Sequence, residues 1–295
     1  MDSEKFKRLD KIKNKVPWWI HVSGKLILSR LPLNYHTWKK LHIFDHGNIE
    51  PDHMYRAFLA HLQQAGLENL KEKTILELGP GDSLCNAIMA KSFGAEKIYL
   101  VDVADFATRE IPHYQRMTAY LRAQKVDCPD ISDCKTVDAI LKKCDATYLT
   151  NGYDAYRHIP NGAIDFLFSN DVLEHVRKHE LVKTIRELRR ITAPDGIHAH
   201  LVDFKDHIGG ELNNLRFSDK IWESDFFAES GFYTNRLRLN QLLNYFTDGG
   251  FVVQSLSNVS FKNLNIKRKK MDHQFRELSD LELRVAASHI ILRPA

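Results

Sequence analysis

The chain has 295 residues, 43% hydrophobic and 27% charged, ordinary proportions that exclude a disordered or fibrous protein and leave enough length to bury a sizeable core. Its net charge of +4, from 42 basic against 38 acidic residues, is too mild to mark a nucleic-acid binder by itself. The four cysteines, Cys85, Cys128, Cys134 and Cys144, contain no Cys-x-x-Cys spacing, and the polar N-terminus has no secretory apolar run; both fit a reducing, cytoplasmic protein.

In chain order, residues 1 to about 70 read as a helical extension, basic at its start, with Trp18, Trp19, Trp38 and Phe44 as bulky anchors. The apolar stretch from Val16 to Leu33 is broken by His21, Lys25 and Arg30, which argues against a membrane span. Tyr55, Phe58, Leu59 and Leu62 share one helix face, and Gly66 suits the helix end. Strands and helices then alternate. Thr74–Leu78 reads as a buried strand, a helix runs from Leu84 to near Gly94, and Lys97–Asp102 is the second strand. A helix spans Tyr114 to Gln124, residues 125 to 145 carry no clear pattern, and Ala146–Thr150 and Ile164–Ser169 are strands three and four. Leu181, Ile185, Leu188 and Ile191 make an amphipathic helix that Ala193-Pro194-Asp195-Gly196 ends, and Gly196–Asp203 is the fifth strand. A polar, aromatic insertion at about 205–236 follows. Leu239, Leu242, Leu243 and Phe246 form a helix face, and Phe251–Val253 and His289–Leu292 are two closing strands. This alternation predicts a parallel sheet covered on both faces with an added antiparallel edge strand.

The first strand runs through Glu77-Leu78 into Gly79-Pro80-Gly81-Asp82-Ser83 and a helix. Two glycines there let the backbone turn tightly and approach a ligand without a Cβ clash. Asp102 ends the second strand 21 residues after Gly81, where a carboxylate can accept both hydroxyls of a ribose. A dinucleotide site wants a third glycine where Leu84 stands. Asp82 places a carboxylate where a pyrophosphate would bind, which favours a positively charged nucleoside cofactor.

On these residues the chain resembles the class I S-adenosylmethionine-dependent methyltransferases over roughly residues 50 to 295. The resemblance implies a Rossmann-like, doubly wound, mostly parallel seven-stranded sheet, with a methyltransferase domain at 71–295 behind the 1–70 extension. Glu77, Gly79, Gly81 and Ser83 are similar to the family's first motif, and Asp102 with Val103 to its ribose-binding segment. Asp154, eleven residues before Asp165, resembles the stretch lining the adenine. Asn170-Asp171-Val172-Leu173-Glu174-His175-Val176 resembles the segment after the fourth strand, which implies Asn170 beside the methionyl end of the cofactor.

An alcohol acceptor benefits from a general base, and His175 and His207 follow strands four and five at the edge where ligands of open sheets bind. Asp203 can orient His207, so His207, Asp203 and His175 are the catalytic candidates. Asp203, Asp206 and His207 also offer ligands to a metal, but the reading adopted uses none; His198 and His200, inside the strand, read as structural. The insertion's rings, Asn and Arg suit a sugar, or alternatively a packing subdomain or a homodimer contact. With Val202–His207 it also resembles methyltransferases of bacterial surface polysaccharides, which implies O-methylation of a sugar or glycan end. The N-terminal segment reads as a lid using Tyr35, Trp38 and Phe44, or else as a peripheral membrane contact. Rival readings are a protein or RNA methyltransferase, an oxidoreductase that Leu84 and Asp82 oppose, and a non-catalytic S-adenosylmethionine-binding protein.

Overall fold

The computed structural model describes residues 18–28, 30 and 49–295. The proposed lid residues Tyr35, Trp38 and Phe44 lie outside the described residues.

A seven-stranded sheet in the order β3-β2-β1-β4-β5-β7-β6 organises the domain. Its strands are β1 (Thr74–Leu78), β2 (Lys97–Val101), β3 (Ala146–Leu149), β4 (Ile164–Asn170), β5 (Thr192–Asp203), β6 (Phe251–Ser260) and β7 (Val285–Pro294). The first five are parallel to one another, and β7 runs antiparallel to both β5 and β6. The antiparallel strand therefore sits one place inside the edge, and β6 is outermost. The strand order reverses between β1 and β4, the switch point at which open α/β sheets bind ligands.

Strand buried on both faces requires near-continuous apolar sequence, and β1 and β4 meet this with Ile75, Leu76, Phe166, Leu167 and Phe168 all essentially inaccessible. One face is covered by α1 (Pro51–Ala65), α2 (Cys85–Ser92) and α3 (Ile111–Ala123). The face of α1 carrying Phe58, Leu62 and Ala65 belongs to that core, and Gly66 ends the helix in the left-handed conformation at φ 69°. The other face is covered by α4 (Lys178–Ile191) and α5 (Leu239–Asp248), through Leu181, Ile185, Leu188, Leu242 and Phe246. Gly249 lets these two helices approach, since a Cβ there would come within 2.3 Å of Ile185 Cγ2.

Three elements differ from the sequence expectation. Residues 125–145 contain a helix at Val137–Lys143, capped by Thr136 Oγ1 accepting from the Ala139 N–H at 3.1 Å. Strand β5 begins at Thr192 rather than Gly196: Thr192 pairs with Ile164, and Ala193-Pro194-Asp195 forms an irregularity before Ile197 pairs with Phe166. Strand β6 extends to Ser260 because pairing with β7 supplies its hydrogen bonds although every residue after Phe251 is exposed.

The 205–236 insertion folds on itself. Trp222, Phe232 and Tyr233 are buried with Ile208, and Val22 of the helix Trp18–Leu28 joins them. A second segment between β6 and β7 adds Ile266, Met271, Phe275 and Leu283, which pack on Leu212 and Leu215.

Beneath the sheet's C-terminal edge runs a row of buried imidazoles. The Thr192 hydroxyl donates to the Leu188 carbonyl at 2.5 Å and lies 2.7 Å from His198 Nε2. His198 Nδ1 is 3.3 Å from His200 Nε2, and His200 Nδ1 is 2.8 Å from Ser169 Oγ. One proton arrangement satisfies the row: His198 Nε2–H donates to Thr192, His200 Nε2–H to His198, and Ser169 to His200. Burial drives His61 and His198 down to about 3 and His200 well below its ordinary range. These rings stay neutral when folded but protonate in the unfolded chain below about pH 6.5. Their stability contribution is complete above that pH and is lost as pH falls toward 3. Burial lowers His289 as well, while Glu77, Glu174 and Asp171, all raised by burial, act oppositely above their unfolded range, so four histidines against three carboxyls leave a net loss once the unfolded histidines are mostly protonated. We expect Tm to fall from about pH 6 downward by the equivalent of about 1.4 kcal/mol per pH unit per net proton, steepening below pH 4.5. Thermal melts at pH 6.5, 5.5, 4.5 and 3.5 check this, and a flat Tm contradicts it.

Candidate active site

Apart from Asp154, in the 3-10 helix Gly152–His158 that follows β3, the candidate residues lie at or just beyond the C-terminal ends of strands, so strand order sets the layout: β2 leads to Asp102, β1 to the glycine turn, β4 to Asn170 and His175, and β5 to Asp203 and His207. With strands roughly 4.8 Å apart, the row spans about 14 Å, long enough for a nucleoside at one end and an acceptor at the other.

At the β1 end, Gly79 and Gly81 both have positive φ, at 70° and 60°. A Cβ on Gly79 would lie 2.4 Å from Val172 Cγ2, so this turn and the segment after β4 meet only because Gly79 has no side chain. Asp102 binds the turn from β2: Oδ2 accepts the Gly81 N–H at 2.9 Å, and Oδ1 accepts the Val103 N–H at 2.7 Å. Ser83 Oγ sits 2.7 Å from His113 Nε2 and accepts the Cys85 N–H at 3.2 Å.

Glu77 is buried behind the turn. Asn86 Nδ2 donates to its Oε1, and its Oε2 has no hydrogen-bond partner among the described residues. Burial pushes its carboxyl up to about 8, with Asn86 opposing and Asp102 adding to the shift. A buried carboxyl with an unpartnered oxygen beside an open glycine turn fits a cofactor carrying positive charge, which would favour its ionised form.

Val103 is 73% exposed beside the turn at Gly152, whose N–H donates to the Asp102 carbonyl at 2.9 Å. Tyr153 is also partly exposed there, at 43%. The Asp154 carboxylate is held by Arg157 on the surface of the same turn. At the end of β4, Asn170 Oδ1 lies 2.8 Å from His61 Nε2, and His61 Nδ1 lies 2.9 Å from His289 Nε2. With His61 donating to Oδ1, Asn170 keeps its two amide N–H groups as donors.

The three catalytic candidates come together. The rings of His175 and His207 are 4.8 Å apart, and His207 Nε2 is 3.8 Å from Asp203 Oδ2, an ion-pair distance rather than a hydrogen bond. His175 Nδ1 donates to the Tyr233 carbonyl at 2.8 Å. Burial works to raise the Asp203 carboxyl, but His207 and Lys205 outweigh it, the latter through its N–H at 2.8 Å and its ammonium at 3.2 Å, and the group ends below its usual range. Asp171, at φ 51°, bends the chain between β4 and the single-turn helix Leu173–His175.

Two readings of the insertion change. Asp206 does not join a metal set with Asp203 and His207: its buried carboxylate accepts the N–H groups of Ile208, Gly209 and Asn213 and shapes the loop. Most of the insertion's rings, with Asn213, Asn214 and Arg236, form its interior rather than an open face. The sequence reading passed over His61, Asn86 and Glu174. His61 lies between Phe58 and Leu62 on the buried face of α1, and that spacing was a usable signal. Glu174 offered none, because a Glu entering a helix reads as exposed.

A family model described as a methyltransferase domain matches residues 52–256, well over half of the chain. No curated protein matches the sequence. Among solved structures, an S-adenosylmethionine dependent methyltransferase from Mesorhizobium loti aligns over 84% of this chain and 98% of its own, at 15% identity and a TM-score of 0.46. A phosphoethanolamine N-methyltransferase 2 of Haemonchus contortus, in complex with phosphomonomethylethanolamine and S-adenosylhomocysteine, aligns over 86% of this chain and 54% of its own, at 15% identity and a TM-score of 0.47. The family match, on a Rossmann-like sheet whose Glu77–Ser83 turn is tied to Asp102, shows that the chain belongs to the class I S-adenosylmethionine-dependent methyltransferases.

Proposed function

We propose that the protein methylates a hydroxyl of a small acceptor, a sugar or glycan end, and that the cluster of Asp203, His207 and His175 receives the hydroxyl proton. When bound, S-adenosylmethionine supplies a methyl group on an already activated sulfonium, so the chain's work is to hold the partners and remove one proton. In this reading Asp102 and Val103 hold the ribose, Glu77, Gly79, Gly81 and Ser83 form the cradle, Asp154 flanks the adenine and Asn170 meets the methionyl end.

The observation that carries the proposal is the pairing of His175 with His207, two strand ends from the glycine turn. With Nδ1–H donating to the Tyr233 carbonyl, the neutral form of His175 is the tautomer that leaves Nε2 to accept a proton. The likeness of Val202–His207 to polysaccharide methyltransferases supports the sugar class.

Methyl transfer from labelled cofactor to a panel of nucleotide sugars and glycans, with protein and RNA acceptors alongside, tests the reading. His207→Ala is expected to lower kcat roughly 10²–10⁴-fold while cofactor affinity changes by less than about twofold. Unchanged turnover removes His207 from the role, and transfer to protein or RNA alone overturns the acceptor class.

A further inference from the structure

We propose that Glu174, His175 and His207 form a binding site for one divalent first-row transition-metal ion. One candidate ligand atom from each of the three lies within 4.8 Å of the others. Ligand atoms sharing a tetrahedral ion at 2.0–2.2 Å lie about 3.4 Å apart, so the cluster need close by no more than about 1.4 Å. The three residues come from the ends of two neighbouring strands, β4 and β5, which hold them side by side without a long loop.

Two independent features point to a cation. Glu174 is 3% exposed; its Oε1 accepts the Asp203 N–H at 3.2 Å, while its Oε2 has no hydrogen-bond partner among the described residues. Asp171 and Asp203 are close enough to act on it electrostatically, so the pocket gathers three carboxyl groups around a buried, half-satisfied one, an arrangement that a divalent charge would relieve. The second feature is the support behind the imidazoles. Metal-ligating histidines characteristically donate their other ring N–H to a backbone carbonyl or a carboxylate. His175 does so to Tyr233, and His207 stands against Asp203. Two imidazoles and one carboxylate suit zinc, manganese or iron rather than calcium, and three protein ligands leave positions for an acceptor oxygen.

The ion's use, though not its binding, rests on the methyltransferase reading above. A cation there would hold the acceptor hydroxyl and lower its pKa, and the proton would pass to the Asp203 carboxylate. The imidazole lone pairs would then serve the metal, and the base role would move from His207 to Asp203.

Calorimetric titration of metal-stripped full-length protein with Zn²⁺ and Mn²⁺ tests the site, with Mg²⁺ as a hard-ion control and Co²⁺ absorption reporting coordination. We expect one strong site in the wild type, weakened at least about 100-fold in Glu174→Gln and in His207→Ala. His207 is partly exposed, so its variant should keep the fold, which a thermal melt verifies. Absence of binding, or binding unchanged in both variants, overturns the proposal, since it would then reside on other histidines. S-adenosylmethionine binding is measured on the same samples. Metal binding without cofactor binding would sink the functional reading and keep the metal site; the reverse would do the opposite.

Discussion

Replacing Asp102 with Ala is expected to weaken S-adenosylmethionine binding at least about 100-fold, the loss of two hydrogen bonds to a charged acceptor at about 1.5–3 kcal/mol each. Asp102 does two things at once. Its oxygens hold the Gly81 and Val103 N–H groups at 2.9 and 2.7 Å, which fixes the turn, and in the proposed reading the same carboxylate receives the ribose at the end of β2. Asn at this position keeps one carbonyl oxygen but turns an amide toward the other N–H, so Asp102→Asn should fall between wild type and Ala. Calorimetry with both variants, alongside thermal melts, separates the two duties: a loss of affinity with Tm held is the ribose contribution. A Kd for Asp102→Ala within threefold of wild type would move the cofactor away from this turn.

Arg238→Ala should be among the most destabilising substitutions in the chain, by about 3–5 kcal/mol. The guanidinium is 1% exposed and donates to the carbonyls of Phe204 at 2.7 Å and Leu283 at 3.0 Å, and also to that of Val285. It thus ties the end of β5 to the start of β7 and to the segment before it, and it lies over the Phe204 ring. Truncation leaves at least three buried acceptors unpaired and opens a cavity, each a named cause of large losses. For a chain of this size the Tm should drop by roughly 10 °C. Arg238→Lys, which keeps a charge but not the fork, should recover only part of this. A Tm within 2 °C of wild type for Ala would mean that water replaces the guanidinium. Because Phe204 follows Asp203 directly, hydrogen exchange of β5 should rise in the same variant.

The sheet was legible in the sequence because its signals are local: apolar runs for β1 and β4, helical spacing in α1 and α4, and glycines where a positive φ is needed. The glycine turn and its tie to Asp102 were legible for the same reason, since Glu77 to Ser83 are contiguous and Asp102 follows at fixed spacing. The extent of β6 was not, because an edge strand with polar residues owes its existence to its neighbour β7. Nor was the inward turn of the insertion's rings, which depends on Trp222, Phe232 and Tyr233 finding one another and Val22.

The sequence by itself thus determined the α/β class, the order of the parallel strands' motifs and the kind of cofactor, all of which rest on residue type at short range. Only the tertiary structure decided which polar groups share a site. Parallel pairing of β4 with β5 sets His175 and His207 against each other across 32 residues of chain, and it buries Glu174 between them and Asp203. It also removed Asp206 from that group by giving its carboxylate three backbone N–H donors. Such partnerships depend on distance in space, and no spacing along the chain encodes them.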